Sequence, residues 1–338
     1  MTRVDADLAA RVDDLLAQAG RPKHINLRPL SGGKNNKVMR VEQADGGSAI
    51  LKLYFRDARD PRDRFGAEWR FLSFADAQNI PGAPRPLACD TTAGAALYTE
   101  LPGTKREPGL VTPRDVAAAM TFIISLNRHV DPADFPPASE ACFSLAEHLE
   151  TVARRVARLL TLNPKVPHAQ EAAQFVHNDL TPKWQAVSDT LKKAVTCEDV
   201  GALDKVLPMS ERILSPSDFG FHNILVSGDT LGFVDFEYAG QDDPAKLLCD
   251  FFAVPEVPTP QSEFDACVSR LAIGQGAQFP SRAHLLRDVY QIKWVCIMLN
   301  EFLPVGAARR AFSRPLDYAA RCAAQLTKAR QKLTELDL

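Results

Sequence analysis

The sequence predicts an α+β protein of two lobes, in which a small antiparallel sheet precedes a larger helical part. With 338 residues the chain exceeds the size at which single cores usually stop growing. Residues 24–55 (HINLRPLSGGKNNKVMRVEQADGGSAILKLYF) contain three short apolar runs separated by turn-forming residues, which is typical of antiparallel strands. From Thr112-Pro113 onward, helical periodicity dominates instead.

The first lobe is assigned to residues 1–101. It opens with a helix, because apolar residues recur at helical spacing at Val4, Leu8, Val12, Leu15 and Leu16. Gly20 is suited to end that helix, and the three strands follow. Asp60-Pro61 then offers an N-cap with proline at the first helical position, and Phe65, Trp69 and Leu72 mark the buried side of a second helix. Two further strands are predicted, around residues 85–88 and 95–101.

The second lobe is assigned to residues 102–338, after Pro102-Gly103. It is predicted to be helical, with a helical insertion from about Ser144 to Val206 and proline-rich joints between helices. One sheet element interrupts it within residues 215–240 (SPSDFGFHNILVSGDTLGFVDFEYAG). There, β-rich runs at 224–226 and 231–234 flank the turn residues 227–230, so the segment reads as a hairpin.

Composition narrows the class of partner. Forty Lys and Arg residues against 42 Asp and Glu residues give a formal net charge of −2, without the basic excess typical of proteins that bind nucleic acids or anionic membranes. We therefore expect a small-molecule partner, no nucleic acid and no membrane insertion. The seven cysteines are scattered and form no C-x-x-C pair, which argues against a disulfide framework and a structural zinc site. No apolar run reaches about eighteen residues, so neither a signal peptide nor a membrane span is expected, and a reducing cytoplasm fits best.

Three polar residues border the predicted hairpin. Asp218 and Asn223 precede it, and Asp235 follows it. Both ends of a two-stranded hairpin lie at the same end of the ladder, so these side chains can converge. One carboxylate can then act as a base while the amide and the second carboxylate hold a hard cation, as phosphoryl transfer to a hydroxyl requires. Each residue also has a structural alternative: Asp218 as an N-cap, Asn223 as a turn former and Asp235 as a strand-end cap.

The loop around Ser31, Gly32 and Gly33 is a second candidate element. Glycines between two strands let backbone N–H groups approach phosphates closely, although a plain turn has the same composition.

Lys52 lies in the middle of an apolar strand, on the same face as Ile50 and Tyr54. Such a lysine needs a partner, and Glu68 lies near the buried side of the next helix. A Lys–Glu pair that joins strand to helix satisfies both groups; the alternative is a lysine that extends to solvent and a solvated glutamate.

Taken in order, these elements resemble a protein-kinase-like fold, and the sequence is similar to the aminoglycoside phosphotransferase and choline kinase family of small-molecule kinases. SDFGFHNILV resembles the family stretch H-x-D-x-x-x-x-N followed by apolar residues, and GFVDFEYAGQDDPAKLLCDFF resembles I-D-F/W-E-x-A-x-x-G-D-P-x-x-D-L. LYTELPGT resembles the hinge before the helical lobe, which implies that Glu100 and Leu101 contact the nucleotide. The resemblance further implies ATP and Mg²⁺ as cofactors, Asp218 as catalytic base, Asn223 and Asp235 as magnesium ligands, Lys52 on the α and β phosphates, and Glu68 as its orienting partner.

The chain departs from the family pattern at one position of the motif. Pro216 replaces the histidine two residues before the catalytic aspartate and cannot donate a hydrogen bond, so another group must brace the loop. A competing segment, FVHNDLTPKW, contains His177 and Asp179. Trp184 stands where the motif needs Asn and no hairpin follows, so we expect His177 and Asp179 to lie on or between exposed helices.

The acceptor site is the least defined part of this interpretation. The helical insertion is expected to form its wall, and Lys293, Trp294, Asn300 and Glu301 are candidate acceptor contacts. Lys293, Asn300 and Glu301 have the spacing of one helix face, with a structural cap at the helix end as the alternative. The expected function is ATP-dependent phosphorylation of a hydroxyl on a sugar, amino sugar or amino alcohol. A catalytically silent nucleotide-binding module is the alternative, and the absence of an activation segment after Asp235 disfavours a protein kinase.

Overall fold

The computed structural model describes residues 3–30, 36–56, 62–197, 201–303 and 318–336. Its first part contains helix α1 (Arg3–Gln18), strands β1 (His24–Pro29), β2 (Lys37–Gln43) and β3 (Ser48–Leu53), helix α2 (Arg64–Ala77), and strands β4 (Pro86–Asp90) and β5 (Ala95–Thr99). The strands form one sheet in the order β1-β2-β3-β5-β4, and every neighbouring pair is antiparallel. The α+β class and the first-lobe elements predicted from sequence are confirmed.

The two faces of this sheet have different neighbours because successive side chains alternate along each strand. One face, with Val41, Leu51 and Leu97, packs against Val12 and Leu16 of α1 in a small core of its own. The opposite face turns Lys52 and its polar neighbours toward α2 and the rest of the molecule. This alternation is what places a lysine from an apolar strand at the candidate site.

Helix α2 begins later than the sequence predicts. Its N-cap is Asp63, whose Oδ1 atom accepts a hydrogen bond of 2.9 Å from the Gly66 amide. The prediction that Asp60 caps this helix is therefore wrong; Asp60-Pro61 itself lies outside the described residues. Asp63 directly precedes the first helical residue, so its carboxylate reaches the third amide of the helix, which is where an N-cap side chain bonds.

The second part of the chain is mostly helical. It contains α3 (Pro113–Leu126), α4 (Leu145–Leu159), α5 (Ala169–Phe175), α6 (Thr181–Cys197), α7 (Pro244–Ala253), α8 (Phe264–Leu271), α9 (Phe279–Met298) and a last described helix, Tyr318–Thr334. Helix α9 packs against α4, α6, α7 and the last helix, and every residue of α7 is buried. None of the helices that the structure describes is long and apolar enough to cross a membrane.

Five short strands accompany these helices: β6 (Thr104–Lys105), β7 (Ile213–Ser215), β8 (Ile224–Ser227), β9 (Thr230–Phe233) and β10 (Gly240–Asp242). The predicted hairpin is present as β8–β9, β6 extends it to three strands, and β7 pairs with β10. The link from β5 to β6 passes so close to β8 that a Cβ atom on Gly103 would lie 2.6 Å from the Val226 carbonyl oxygen, and the φ of Gly103 is +115°. Only glycine fits there.

One hydrophobic cluster spans both parts of the chain. Within it, Phe71 of α2 stacks on Phe236 with ring centroids 4.3 Å apart, and Phe122 of α3 stacks on Phe233 at 4.0 Å. We call these four rings the aromatic column; Phe122 and Phe236 connect its two halves at 6.4 Å. The column fixes the hairpin between the helix that carries Glu68 and the helical part. The division of the chain at residue 101 stays a prediction.

Candidate active site

The candidate site lies at the open end of the β8–β9 hairpin. Ile224 pairs with Phe233, and the Val234 amide donates to the Asn223 carbonyl oxygen at 3.0 Å. Asn223 directly precedes β8 and is therefore opposite Val234, which directly follows β9. Asp235 is the next residue after Val234. The φ of Asp235 is +72°, a conformation uncommon for a residue with a side chain. Uncommon conformations of this kind concentrate at functional sites.

Asp218 lies in a tight turn that follows β7. Its amide donates to the Pro216 carbonyl oxygen at 3.0 Å across Ser217, whose φ is +68°, which corresponds to a γ-turn. The Asn223 side chain closes the turn, since its Nδ2 atom donates to the Asp218 carbonyl oxygen at 3.0 Å and approaches Oδ2 of the Asp218 carboxylate at 3.4 Å. Asp218 and Asn223 thus lie together, as predicted.

The turn is braced without the histidine that Pro216 replaces. Asn127, at the end of α3, donates from Nδ2 to the Leu214 carbonyl oxygen at 3.1 Å and accepts from the Leu214 amide at 2.8 Å. It therefore pairs with β7 as a neighbouring strand would, while β10 pairs with β7 on its other edge. Asn127 and β10 therefore fix the backbone before Asp218.

Lys52 connects the sheet to the hairpin. It is 6% exposed, and its Nζ atom lies 2.6 Å from Glu68 Oε2 and 2.6 Å from Asp235 Oδ1. Burial alone would lower the pKa of the Lys52 ammonium, but the carboxylates of Glu68 and Asp235 outweigh burial and raise this pKa well above its usual value. Lys52 is therefore a permanent cation between two carboxylates from different parts of the chain.

Glu68 is 4% exposed and has hydrogen-bond donors at both carboxylate oxygens. In addition to Lys52, the Tyr54 hydroxyl lies 2.6 Å from Oε2, and the Phe236 amide donates to Oε1 at 3.2 Å. Burial raises the pKa of the Tyr54 hydroxyl, which stays a neutral donor. The predicted Lys52–Glu68 pair is present, and Glu68 also holds the backbone next to Asp235.

Asn223 and Asp235 have the donor chemistry of a magnesium site. Asn223 uses its Nδ2 atom toward Asp218, so its contribution to a cation would be the amide oxygen Oδ1. The Asp235 side chain is 41% exposed and keeps a carboxylate at the open end of the hairpin. Magnesium is usually bound by one or two such oxygens together with the phosphates of a substrate. The residues present therefore fit this cation.

A profile of the phosphotransferase enzyme family matches residues 26–285, which include both ends of the hairpin, Lys52 and Glu68. The chain belongs to this family. It is accordingly a small-molecule kinase. Among curated proteins, the comparison found no match.

Solved structures with the same fold include several small-molecule kinases. A choline/ethanolamine kinase family protein from Mesorhizobium loti matches with a TM-score of 0.59 and 19% identity, over 98% of this chain and 95% of its own. A choline kinase from Streptococcus pneumoniae matches with a TM-score of 0.59 and 14% identity, over 99% and 100% of the two chains. A spectinomycin phosphotransferase solved with ADP and spectinomycin matches with a TM-score of 0.59 and 12% identity, over 96% and 97%. At these identities the likeness shows the fold.

Glu237 is a residue of this kinase that sequence reasoning missed. It is 3% exposed, and its Oε2 atom accepts a hydrogen bond from Asn36 Nδ2, while Asn36 Oδ1 accepts from the Phe55 amide at 3.2 Å. Asn36 directly precedes β2, so Glu237 connects the start of β2 to the segment after the hairpin. Its position two residues after Asp235 was the available signal. Ser31, Gly32 and Gly33 lie outside the described residues, and their nucleotide role stays a prediction.

Glu100 and Leu101, which the sequence predicts to lie in the hinge, have defined neighbours. Arg40 Nε donates to both carboxylate oxygens of Glu100 at 2.8 and 2.9 Å, so the Glu100 side chain is held against β2. The Leu101 side chain packs on the hairpin, because a Cβ atom on Gly232 would lie 3.1 Å from Leu101 Cδ1. The contact of Glu100 and Leu101 with a nucleotide stays a prediction.

Lys293, Asn300 and Glu301 do not share one α-helical face. Lys293 and Trp294 lie on α9, which ends at Met298, whereas Asn300 and Glu301 lie in a 3-10 turn, Leu299–Phe302. Helices often tighten in this way at their ends, which changes the angular spacing, so the shared-face prediction is wrong. Lys293 is 7% exposed and bonds both oxygens of Asp250, at 2.9 and 2.8 Å, and Trp294 Nε1 donates to Oδ1 of the same carboxylate at 2.8 Å. Their acceptor role stays a prediction.

His177 and Asp179 lie in a helical turn between α5 and α6. Both side chains are exposed. The expectation that they lie on or between exposed helices is confirmed.

A buried histidine connects α4 to the start of α7. His148 Nε2 lies 3.2 Å from Asp243 Oδ2, and its Nδ1 atom lies 2.6 Å from the Tyr290 hydroxyl. Burial alone would lower the pKa of His148, but hydrogen bonding to Asp243 and Cys142 and the charge of Asp243 raise it to about 9. The imidazole is therefore charged in the folded protein at neutral pH.

We expect this proton to make stability depend on pH. The ordinary pKa of 6.5 applies in the unfolded chain, so between pH 6.5 and about 9 the folded protein binds a proton that the unfolded chain does not. The free energy of unfolding should fall as pH rises through this window, by on the order of 3 kcal/mol in total. Urea unfolding of the wild type and of His148→Gln at pH 6.5 and 9 tests this: the loss should be much smaller in the variant, and an equal loss in both would exclude His148 as its source.

Proposed function

We propose that the protein transfers the γ-phosphoryl group of ATP to a hydroxyl of a small molecule. The observation that supports this most directly is the position of Lys52, between Glu68 and Asp235, beside the hairpin that also carries Asp218 and Asn223. Phosphoryl transfer passes through a loose transition state, so the protein mainly orients the acceptor and neutralises charge. This reaction uses a cation, oxygen ligands for a metal ion and a carboxylate base. Lys52 is the cation, Asn223 and Asp235 provide the oxygen ligands, and Asp218 is the base.

Each group has a distinct proposed task. Lys52 contacts the α and β phosphates, and Glu68 keeps its ammonium in position. Asn223 and Asp235 hold Mg²⁺, which when bound neutralises phosphate charge. Asp218 accepts the proton of the acceptor's hydroxyl; the acceptor oxygen forms a bond to the γ-phosphorus, and the bond between that phosphorus and the β–γ bridging oxygen breaks to release ADP.

The nucleotide is proposed to bind at the face of the five-stranded sheet that carries Lys52. The loop at Ser31–Gly33 would cover its phosphates, and the hinge at Glu100 and Leu101 would contact its base. The family match and the ADP bound to the similar spectinomycin phosphotransferase support a nucleotide site of this kind.

The acceptor is proposed to bind on the helical side, between the segment 144–206 and the end of α9. The names of the similar structures mention choline, ethanolamine, spectinomycin, gentamicin and macrolides, which supports a hydroxyl-bearing small molecule. We retain a sugar, an amino sugar or an amino alcohol as the acceptor class, with no nucleic-acid partner. A cytoplasmic location is proposed from the scattered cysteines, six of which are free thiols in the described residues.

A transfer assay tests this function. We expect purified protein to consume ATP and to phosphorylate at least one member of a panel of amino alcohols, amino sugars and sugars, and we expect a chelator to abolish this activity until Mg²⁺ is restored. Asp235→Ala should lose metal-dependent ATP binding in calorimetric titration more completely than Asn223→Ala, because a carboxylate supplies charge as well as an oxygen ligand.

Two results would contradict the proposal. Turnover that is unaffected by the chelator would exclude a magnesium-dependent mechanism. Binding of ATP with no transfer to any acceptor or to water would favour a silent nucleotide-binding module.

A further inference from the structure

The histidine that the motif lacks before Asp218 has a counterpart after it. His222 lies four residues beyond Asp218, in the 3-10 turn Phe221–Asn223, and its Nε2 atom is 3.2 Å from Asp218 Oδ1. The imidazole is only 12% exposed, whereas the Asp218 side chain is 32% exposed. The histidine thus lies behind the carboxylate, on its protein side.

The surroundings of the ring indicate which nitrogen carries the proton. Nδ1 is buried and has no hydrogen-bond partner among the residues that the structure describes. A proton on Nδ1 would be a buried donor without an acceptor, which is costly, whereas a proton on Nε2 points at a carboxylate. The hydrogen-bond pattern therefore places a proton on Nε2, which donates to Asp218.

The ring is also fixed in rotation. A Cβ atom on Gly220 would lie 2.8 Å from His222 Nδ1 and 3.1 Å from Val254 Cγ2. The Gly220 backbone therefore packs directly against the Nδ1 edge of the imidazole, and no larger residue fits there. This packing holds Nε2 toward Oδ1 of Asp218.

We propose that His222 is a positioning residue for the catalytic base. Its Nε2–H group holds Oδ1 of Asp218, and Asn223 holds the Asp218 backbone, so the carboxylate is fixed in rotation before the acceptor arrives. The acceptor's proton goes to Asp218, and His222 keeps its own proton throughout. This inference rests on the proposed function, because it assigns a task in the same reaction.

Substitutions that mimic one ring nitrogen at a time test the proposal. The amide nitrogen of Gln lies near the place of Nε2, and that of Asn near the place of Nδ1. We expect His222→Gln to keep turnover close to wild type, and His222→Asn and His222→Ala to lower kcat by about 10- to 100-fold, which corresponds to the loss of a hydrogen bond to a charged group. KM for ATP should stay at its wild-type value in all three, and His129→Gln, at an exposed histidine, is the matched control.

Nuclear magnetic resonance gives a readout that does not depend on turnover. Long-range ¹H–¹⁵N spectra of the imidazole rings of the full chain, with the His222 signal assigned by its loss in His222→Gln, should show a proton on Nε2. A ring with no proton on Nε2 would overturn the proposal. So would equal losses in the Gln and Ala variants, which would show that an amide donor cannot replace the ring, and so would wild-type turnover in all three.

If the wild type itself transfers no phosphate to the panel or to water, the proposed function fails, and the spectra still decide whether His222 donates to Asp218.

Discussion

Asp218→Asn should lower turnover by about a hundredfold or more while the protein remains folded and binds ATP as before. Asparagine has nearly the same shape as aspartate, and its amide oxygen can still accept a hydrogen bond from His222 Nε2 or Asn223 Nδ2, which lie 3.2 and 3.4 Å from the carboxylate oxygens. It cannot take up the proton of the acceptor's hydroxyl. Initial rates at saturating ATP, with ATP affinity from calorimetry and the melting temperature of each protein, separate loss of chemistry from loss of binding or folding.

Asp179→Asn is the matched control. Asp179 belongs to the competing His-x-Asp sequence and is exposed between α5 and α6, so the same substitution there should leave turnover unchanged. A loss at Asp179 as large as that expected at Asp218 would show that the wrong segment was chosen. Wild-type activity in Asp218→Asn would remove this residue from the mechanism.

The second large effect is expected at the Lys52–Glu68 pair. Lys52→Met should lower turnover by on the order of a hundredfold or more, because it removes a preorganised cation from the phosphates. Glu68→Gln should lower turnover by no more than Lys52→Met does, because glutamine keeps the shape of the side chain and can still form a weaker hydrogen bond. If Glu68 acts only by positioning Lys52, the double variant should be little worse than Lys52→Met alone.

Additive losses in the double variant would show that the two side chains act independently. Acceptor affinity should be unchanged in all three variants, because the acceptor is proposed to bind in the helical part. A large loss of acceptor affinity would contradict the separation of nucleotide and acceptor sites.

Stability must be measured alongside turnover for these variants. Lys52→Met leaves the buried carboxylate of Glu68 without its ammonium partner, and breaking a buried ion pair typically costs about 3–5 kcal/mol. The Tyr54 hydroxyl and the Phe236 amide still donate to Glu68, which limits this cost. Urea unfolding curves therefore determine the range of conditions in which the kinetic comparison is valid.

Sequence reasoning succeeded where side chains follow the regular spacing of a strand or a helix. Lys52 was assigned to the correct face of β3 because strand side chains alternate, and Glu68 to the correct side of α2 because it lies between Phe65 and Trp69. The hairpin was predicted from its turn residues, and its geometry then brought Asn223 next to the residue before Asp235. These predictions needed only short stretches of chain.

The missed features depend on contacts that no local pattern encodes. Asn36 and Glu237 are 201 residues apart in sequence, and strands β7 and β10 have three residues each, too few to show a period. Asp60 and Asp63 are equivalent as local capping signals, and only the packed helix selects Asp63. Lys293 was assigned to a pocket because it lies beside apolar residues, yet its ammonium is bound to Asp250 from α7.

The aromatic column has a consequence for attempts to divide the protein. A fragment ending near residue 101 would contain Phe71 without Phe236, and each fragment would expose one ring of a stack whose two members are at most 1% exposed in the intact chain. The first fragment would keep the small core between α1 and the sheet, but both fragments would expose part of the larger cluster, which favours aggregation. The predicted boundary near residue 101 is therefore a poor place for truncation or for a split-protein reporter, even though it separates the sheet from the helical part. Exchange of the sheet lobe with that of a relative would have to keep both sides of the Phe71–Phe236 stack together.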